Sequence, residues 1–356
     1  MSLTLGRLEM HMGPRELGAP DDLEQVIRDF IAGARKELLI AVQELESIPI
    51  AEAVIAARAR GVRVRLILEK NYLTLSRAPA DPWTRGGENE ENRRILAALL
   101  RARVDLMSDL NPETFHQKFM VRDADTSRAA VLTGSTNFTP TGTHTNLNHV
   151  VIMKSKRMAA LFVEEFEEAW TGRMKVGTTP TTKRPREYDV SGVRVKALFA
   201  PDQSPEMEMM KQMLKAKNRV AFAIFTFSQS SGIDDACICL SRAGIAVEGV
   251  MDRMQGNQEW AATRPVANAG ATLYWPKRES GVRKVHHKLM VIDNTVVVAG
   301  SFNFTEPANM LNDENILVIG RHEEDDPEAK KSQRQFARYA AKEIERMRVE
   351  LCEKVG

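Results

Sequence analysis

Cysteine is scarce: three residues, Cys237, Cys239 and Cys352, in a chain of 356. An odd and small number does not build a disulfide framework. Cys237 and Cys239 also lack the spacing of a zinc knuckle and read as small buried residues of an apolar helix. Net charge is nearly absent too, at +2, so no global field draws the chain to a polyanion and any such attraction must come from a local patch. Long apolar runs are missing. The N-terminal stretch has no continuous apolar core of signal-peptide length. The longest runs, such as Val220 to Phe227, are strand-sized and far short of the ~20 residues that span a bilayer. These features predict a soluble, cytoplasmic protein with no transmembrane segment. No His/Asp/Glu cluster has metal-ligand spacing, so neither a metal nor another cofactor is expected.

What the chain does have is a repeat. F-H-Q-K-F-M-V-R-D places His116, Lys118 and Asp123 in the pattern H-x-K-x-x-x-x-D, and V-H-H-K-L-M-V-I-D places His286, Lys288 and Asp293 at the same offsets. Each is followed by G-S-x-N: Gly134, Ser135 and Asn137, then Gly300, Ser301 and Asn303. The duplication extends outward. A-R-K-E-L-L-I-A-V-Q-E-L, a helix over Ile50 to Arg60 stopped by Gly61, and the strand V-R-V-R-L-I-L-E-K are replayed by A-K-N-R-V-A-F-A-I-F-T-F, a helix through Ala243, Gly244 and I-A-V-E-G-V-M-D-R. Further helices fall near Glu90 to Ala102 and Gln258 to Asn268. Each half closes on an amphipathic helix, one carrying Met158, Phe162, Phe166 and Trp170, the other Phe336, Ala340, Ile344, Met347 and Leu351; both read as sheet-covering. Strand-helix-strand alternation implies an α/β fold with helices on the sheet faces. The expected halves are residues 1–176 and 191–356, joined by a Thr/Pro/basic connector over 177–190.

Residues two apart on a strand share a face, so His116 projects with Lys118 and His286 with Lys288. Gly134 and Gly300 would let a ligand approach the backbone closely. The side chains of Ser135, Asn137, Ser301 and Asn303 can donate hydrogen bonds to phosphoryl oxygens. One copy supplies half of an oxyanion site and two facing copies a whole one. Two imidazoles in one pocket disfavour double protonation, so one is expected neutral and the other protonated. That pairing suits a two-step displacement: the neutral histidine attacks phosphorus, and the protonated one serves the leaving alkoxide and then the incoming water. Lys118 and Lys288 supply the positive charge that divalent metals supply elsewhere, which predicts metal-independent activity.

With both motifs in one polypeptide, the chain resembles the phospholipase D superfamily over roughly Leu17 to Leu351. The resemblance implies two pseudo-symmetric αβα sandwich halves with mixed sheets, one shared active site at their interface, and a covalent phosphohistidine. It implies His116 as nucleophile, His286 as general acid/base, and Asp123 and Asp293 as supporting residues. It also implies a carboxylate downstream of each motif that orients a histidine across the interface. Glu314 fits in the second half; the first half offers Leu147 and Asn148 and no acid.

The superfamily cuts several diesters, so membership does not name the substrate. Tyr274 and Trp275 precede Lys277, Arg278, Arg283 and Lys284, aromatics beside basic groups as in a single-strand groove. The loop Asn71 to Asn89, with Trp83 and Arg85, could extend that groove. The sequence therefore favours a nuclease with a nucleic-acid partner. A phospholipase or phosphatidyltransferase acting on phospholipid headgroups is the alternative, and a non-catalytic phosphate-binding subunit the second.

Overall fold

In the first half Glu37–Val42 and Arg63–Leu68 are parallel neighbours connected by the helix Ile48–Ala59. Glu37–Val42 is nearly continuous in Leu, Ile, Val and Ala, as a strand covered on both faces must be, and Arg63–Leu68 is so over its last three residues. Ser47 starts the helix by accepting the Ile50 N–H. Gly61, at φ +88°, reverses the chain after it. Asp105–Ser108 adds a third parallel strand. On the other flank the sheet turns antiparallel, through Lys118–Arg122, Ala130–Gly134, Asn146–Met153, Leu8–Gly13 and Leu3–Leu5.

The second half repeats this order. Arg219–Ile224, Ala246–Met251 and Thr272–Pro276 run parallel. Lys288–Ile292, Val296–Gly300, Glu314–Ile319, Val193–Ala200 and Glu187–Val190 follow antiparallel. Cys352–Lys354 closes the open edge against Thr272–Pro276. The fold is thus α/β, two mixed-sheet halves related by pseudo-symmetry. The computed structural model describes residues 2–172 and 184–356.

Three apolar cores divide the molecule. Two lie on the outer faces of the two sheets. The third is shared: Met158, Phe162 and Phe166 of the helix Lys156–Trp170 and Phe336, Ala340 and Ile344 of the helix Pro327–Arg346 pack with strand residues of both halves. These are the two amphipathic helices of the sequence, buried between the sheets. Among the described residues no helix is long and apolar enough to cross a membrane.

Several expectations change. The helix expected over Gln258 to Asn268 is only Thr263–Asn268; Asp252 accepts the Met254 and Gln255 N–H groups and caps a single turn, Arg253–Gly256, so the chain spends the intervening residues rounding the sheet end. Cys239 is exposed, on the outer side of the helix Gly232–Arg242, while Cys237 and Cys352 are buried. Of the connector over 177–190, residues 177–183 lie outside the described residues and Glu187–Val190 is a strand of the second sheet.

Candidate active site

Strand register brings the two motifs to equivalent places. Lys118 pairs with Val42 and Lys288 with Ile224, so each motif enters its antiparallel strand at the C-terminal end of its half's central parallel strand. Each histidine lies just upstream, where the chain has crossed to the other half. The His116 N–H donates to Asp313 O at 3.0 Å and the His286 N–H to Leu147 O at 2.9 Å. Lys284–Val285 even joins the first sheet as a short strand beside Asn146–Met153. The halves are therefore stitched together at the histidines.

His116 Nδ1 lies 2.7 Å from Glu314 Oε1, and Glu314 Oε2 accepts the Ser301 hydroxyl. In the mirrored position His286 Nδ1 is 3.0 Å from Asn148 Oδ1 and 3.0 Å from Ser135 O. Both of those atoms are acceptors, because the Asn148 amide nitrogen donates to Gly142 O at 2.7 Å. His286 Nδ1 must therefore carry its hydrogen, which leaves Nε2 for chemistry. Lys118 Nζ donates to His116 O and Gln43 Oε1, and Lys288 Nζ to His286 O. Position 43 is matched in the other half by Phe225, whose ring is 5.0 Å from His286 and 5.1 Å from Lys288 Nζ.

The cluster is nearly closed: His116 and His286 are 8% and 5% exposed, Lys118 and Lys288 1% and 3%. Burial, reinforced by Lys118 and Lys288, holds His116 well below the ordinary histidine value. Burial does the same to His286, with Lys288, Lys118 and His116 adding to it. Burial first, and then the two neighbouring lysines, thus disfavour a proton on either ring. Burial also lowers Lys118 to about 8, against the pull of Glu314, Glu44 and Glu69, and lowers Lys288 well below its usual value. Burial pushes Glu314 up to about 8 although both lysines oppose it. A site so reluctant to hold positive charge gains most when an anion enters.

The remaining sequence candidates separate. The Ser135 and Ser301 hydroxyls are fully buried and donate to Asn148 and Glu314. This corrects their expected role as phosphate donors, since each has one hydrogen and has spent it behind a histidine. Asn137, half-buried, donates to Glu44 Oε1, and Asn303 Oδ1 accepts the Thr226 N–H. Gly134 and Gly300 are needed for a different close approach: a Cβ at either would run into the neighbouring strand at His149 O or Asn315 O. Asp123 accepts the N–H groups of Arg35, Lys36 and Glu37, and Asp293 those of Lys217, Asn218 and Arg219, at the end of each strand remote from the histidines.

The aromatic-basic groove does not form. Tyr274 sits beneath Arg348 and Trp275 beneath Arg253, on a strand whose free edge is paired with Cys352–Lys354. Lys277 lies behind that strand, its N–H donating to Leu351 O, while Arg278 and Arg283 are exposed. Lys284 is the one member that reaches the site, its Nζ 5.2 Å from the Phe225 ring. Gln43, Glu44 and Phe225 were not singled out in the sequence. The signal was there, in the residues after the two equivalent strands, Q-E-L and F-T-F.

A family described as "Cardiolipin synthase, PLD-like domain" matches residues 27–170 and 209–340, one segment in each half. The human mitochondrial cardiolipin hydrolase is 28% identical over 148 residues, 42% of this chain and 50% of that protein, so the chain spans about half the length of that relative. A phospholipase D of Rickettsia bellii is 29% identical over 154 residues, 41% of this chain and 72% of its own. The phosphatidylserine synthase of Haemophilus influenzae has the same fold, with a TM-score of 0.67 at 13% identity over 100% of this chain and 89% of that one. With a match in each half and both motifs at one seam, the chain belongs to the phospholipase D superfamily of phosphodiesterases.

Proposed function

We propose that the chain cleaves phospholipid headgroup diesters through a phosphohistidine on His116, with His286 as general acid and then general base. The observation that carries the chemistry is the convergence of both motifs at one buried seam, each histidine held by the opposite half. An anionic diester entering beside Lys118 and Lys288 offsets their charge and lets His286 take a proton on Nε2. The neutral His116 Nε2 then attacks phosphorus, the bond to the leaving oxygen breaks, and that oxygen takes the His286 proton. Water next attacks the phosphohistidine while giving a proton to His286. The P–N bond breaks, the product leaves as the phosphomonoester, and both rings are restored.

Lipid is favoured over nucleic acid by what surrounds the site. Of the predicted stacking groove only Lys284 reaches the site, whereas Trp83, Leu110, Met254, Trp260, Met310 and Leu311 are exposed on segments that leave the site-bearing ends of the sheets. Apolar side chains left in water at an active-site end suit an apolar-tailed substrate. The names of the relatives lean the same way. The test is one series with EDTA present: vesicles of phosphatidylcholine or cardiolipin against single-stranded DNA, duplex DNA and RNA. Headgroup release that disappears in His116→Ala and His286→Ala is expected. Nucleic-acid cleavage with intact lipid would return the assignment to a nuclease, and binding without turnover would make the chain a phosphate-binding subunit.

A further inference from the structure

The second motif brings one more cation to the site than the first. Residues two apart on extended chain share a face, so Lys284 projects with His286 and Lys288, while Val285 turns away into the shared core. The three side chains meet at Phe225. Its ring centre lies 5.2 Å from Lys284 Nζ, 5.1 Å from Lys288 Nζ and 5.0 Å from the centre of the His286 ring. In the first motif the same spacing holds Thr114, His116 and Lys118, and Gln43 stands in the place of Phe225.

Lys284 is held in place but not neutralised. Lys284–Val285 pairs with Asn146 and Leu147 of the first sheet, which fixes its backbone at the seam. The side chain is half-buried, and among the described residues no carboxylate lies within ion-pair distance of its Nζ. Glu44 and Asp252 are the acids near enough to feel its charge. Both are otherwise engaged. Glu44 accepts the Asn137 amide at 2.7 Å and the Tyr72 hydroxyl, and Asp252 accepts the N–H groups of Met254, Gln255 and Val285. Two ammonium groups therefore meet at one aromatic ring, and their mutual repulsion in a partly desolvated site is relieved when anions bind.

A phosphodiester carries a single negative charge, which Lys118 and Lys288 already match from the two halves. Lys284 lies roughly 7 Å of extended chain beyond His286, on the side where the leaving oxygen takes its proton. We propose that Lys284 is a specificity residue that binds a second anionic group, a phosphate or a carboxylate, on the departing arm of the diester. The equivalent place beside His116 is Thr114, so the retained arm meets no such charge. The inference rests on the lipid reading and on the acid role of His286 given above.

The test compares kcat/KM on cardiolipin, phosphatidylserine and phosphatidylglycerol, each dilute in neutral detergent micelles so that surface charge does not differ. Cardiolipin carries a second phosphate on its departing arm, phosphatidylserine a carboxylate, and phosphatidylglycerol neither. The wild-type protein is expected to favour one of the first two over phosphatidylglycerol, and which one it favours tells phosphate from carboxylate. Lys284→Gln should cut that preference about tenfold, the scale of one charge-assisted contact, and Lys284→Arg should keep it. A wild-type protein without the preference overturns the proposal. So does an equal loss on all three lipids in Lys284→Gln, which would place Lys284 at the reacting phosphate itself. Should no lipid be cleaved, the lipid reading fails. The dinucleotide TpT against its terminally phosphorylated forms then decides the role of Lys284 separately, by the same ratio in the same variants. Cleavage of neither class overturns both.

Discussion

Asn148→Asp tests the division of labour between the two histidines with one near-isosteric change. The wild-type Asn148 Oδ1 accepts from Ser135 Oγ at 2.8 Å and from His286 Nδ1 at 3.0 Å, and its Nδ2 donates to Gly142 O. The aspartate keeps both acceptor contacts and adds a negative charge at that range, which raises a histidine pKa by about 1–3 units, or ~1.4–4 kcal/mol in favour of the imidazolium. The sign follows from His286 starting below its ordinary value: its protonated form, scarce near neutrality, becomes common there. With His286 as the acid, the productive state has His116 neutral and His286 protonated, so kcat/KM above neutrality rises and the optimum moves to higher pH. With His286 as the attacker, the productive state is depleted by the same factor and activity falls. The lost amide donor leaves Gly142 O unpaired and costs about 1–3 kcal/mol, so the assay belongs well below a lowered melting temperature. A pH–kcat/KM profile for a soluble diester decides the matter. A folded variant with an unmoved profile refutes the reasoning that Asn148 sets the protonation of His286; a fall at every pH exchanges the two roles.

Lys288→Met should lower kcat about 10²–10³-fold, as loss of one preorganised positive group does, while raising the thermal midpoint. Lys288 is buried and disfavours its own charge, so removing it relieves a desolvation cost; a lower melting temperature would contradict this. Asp293→Ala should act in the opposite sense, on stability more than on rate, because it releases three backbone N–H groups at the far end of the strand. A loss of about 1–3 kcal/mol by urea titration is expected with kcat within a few-fold of wild type, and a selective collapse of kcat would place Asp293 in the chemistry instead. Burial opposes a low pKa at Asp293 but the three N–H donors outweigh it. Its contribution is therefore present above the ordinary aspartate value and fades as pH falls through the lowered one, so the deficit of the variant should shrink in acid. Gly300→Ala should cost about 1–3 kcal/mol from overpacking, because its Cβ would strike the strand carrying Asn315; a neutral effect on melting would show that the two strands can part.

What could be read from the chain was whatever repeats at short range. Period-two spacing put His116 with Lys118 and His286 with Lys288 on one face, and the absent acid before His149 already marked Asn148 as the odd position. What could not be read was what stands opposite. Ser135 and Ser301 look free in a G-S-x-N string, but the strands carrying Asn148 and Glu314 return beside them and take their hydroxyls. Tyr274 and Trp275 look like a stacking platform until Arg348 and Arg253, distant in sequence, settle over their rings. The middle residue of V-H-H-K alternates away from the site and into the shared core, where only the tertiary structure supplies His149 as its partner.

The same contrast shows how a duplicated site comes to have two unequal halves. A tetrahedral phosphorus flanked by identical imidazoles gives no preference for which attacks and which protonates. Surroundings that differ can set that preference while the four groups stay alike. Here His116, Lys118, His286 and Lys288 are alike in place and burial, and the difference lies one layer out: Glu314 against Asn148, Gln43 against Phe225, and Lys284 with no counterpart where Thr114 stands. Each of these lies beside one of the four histidines and lysines, and none needs to touch phosphorus. Substitutions in that outer layer should therefore redirect the reaction, whereas substitutions in the inner four can only weaken it.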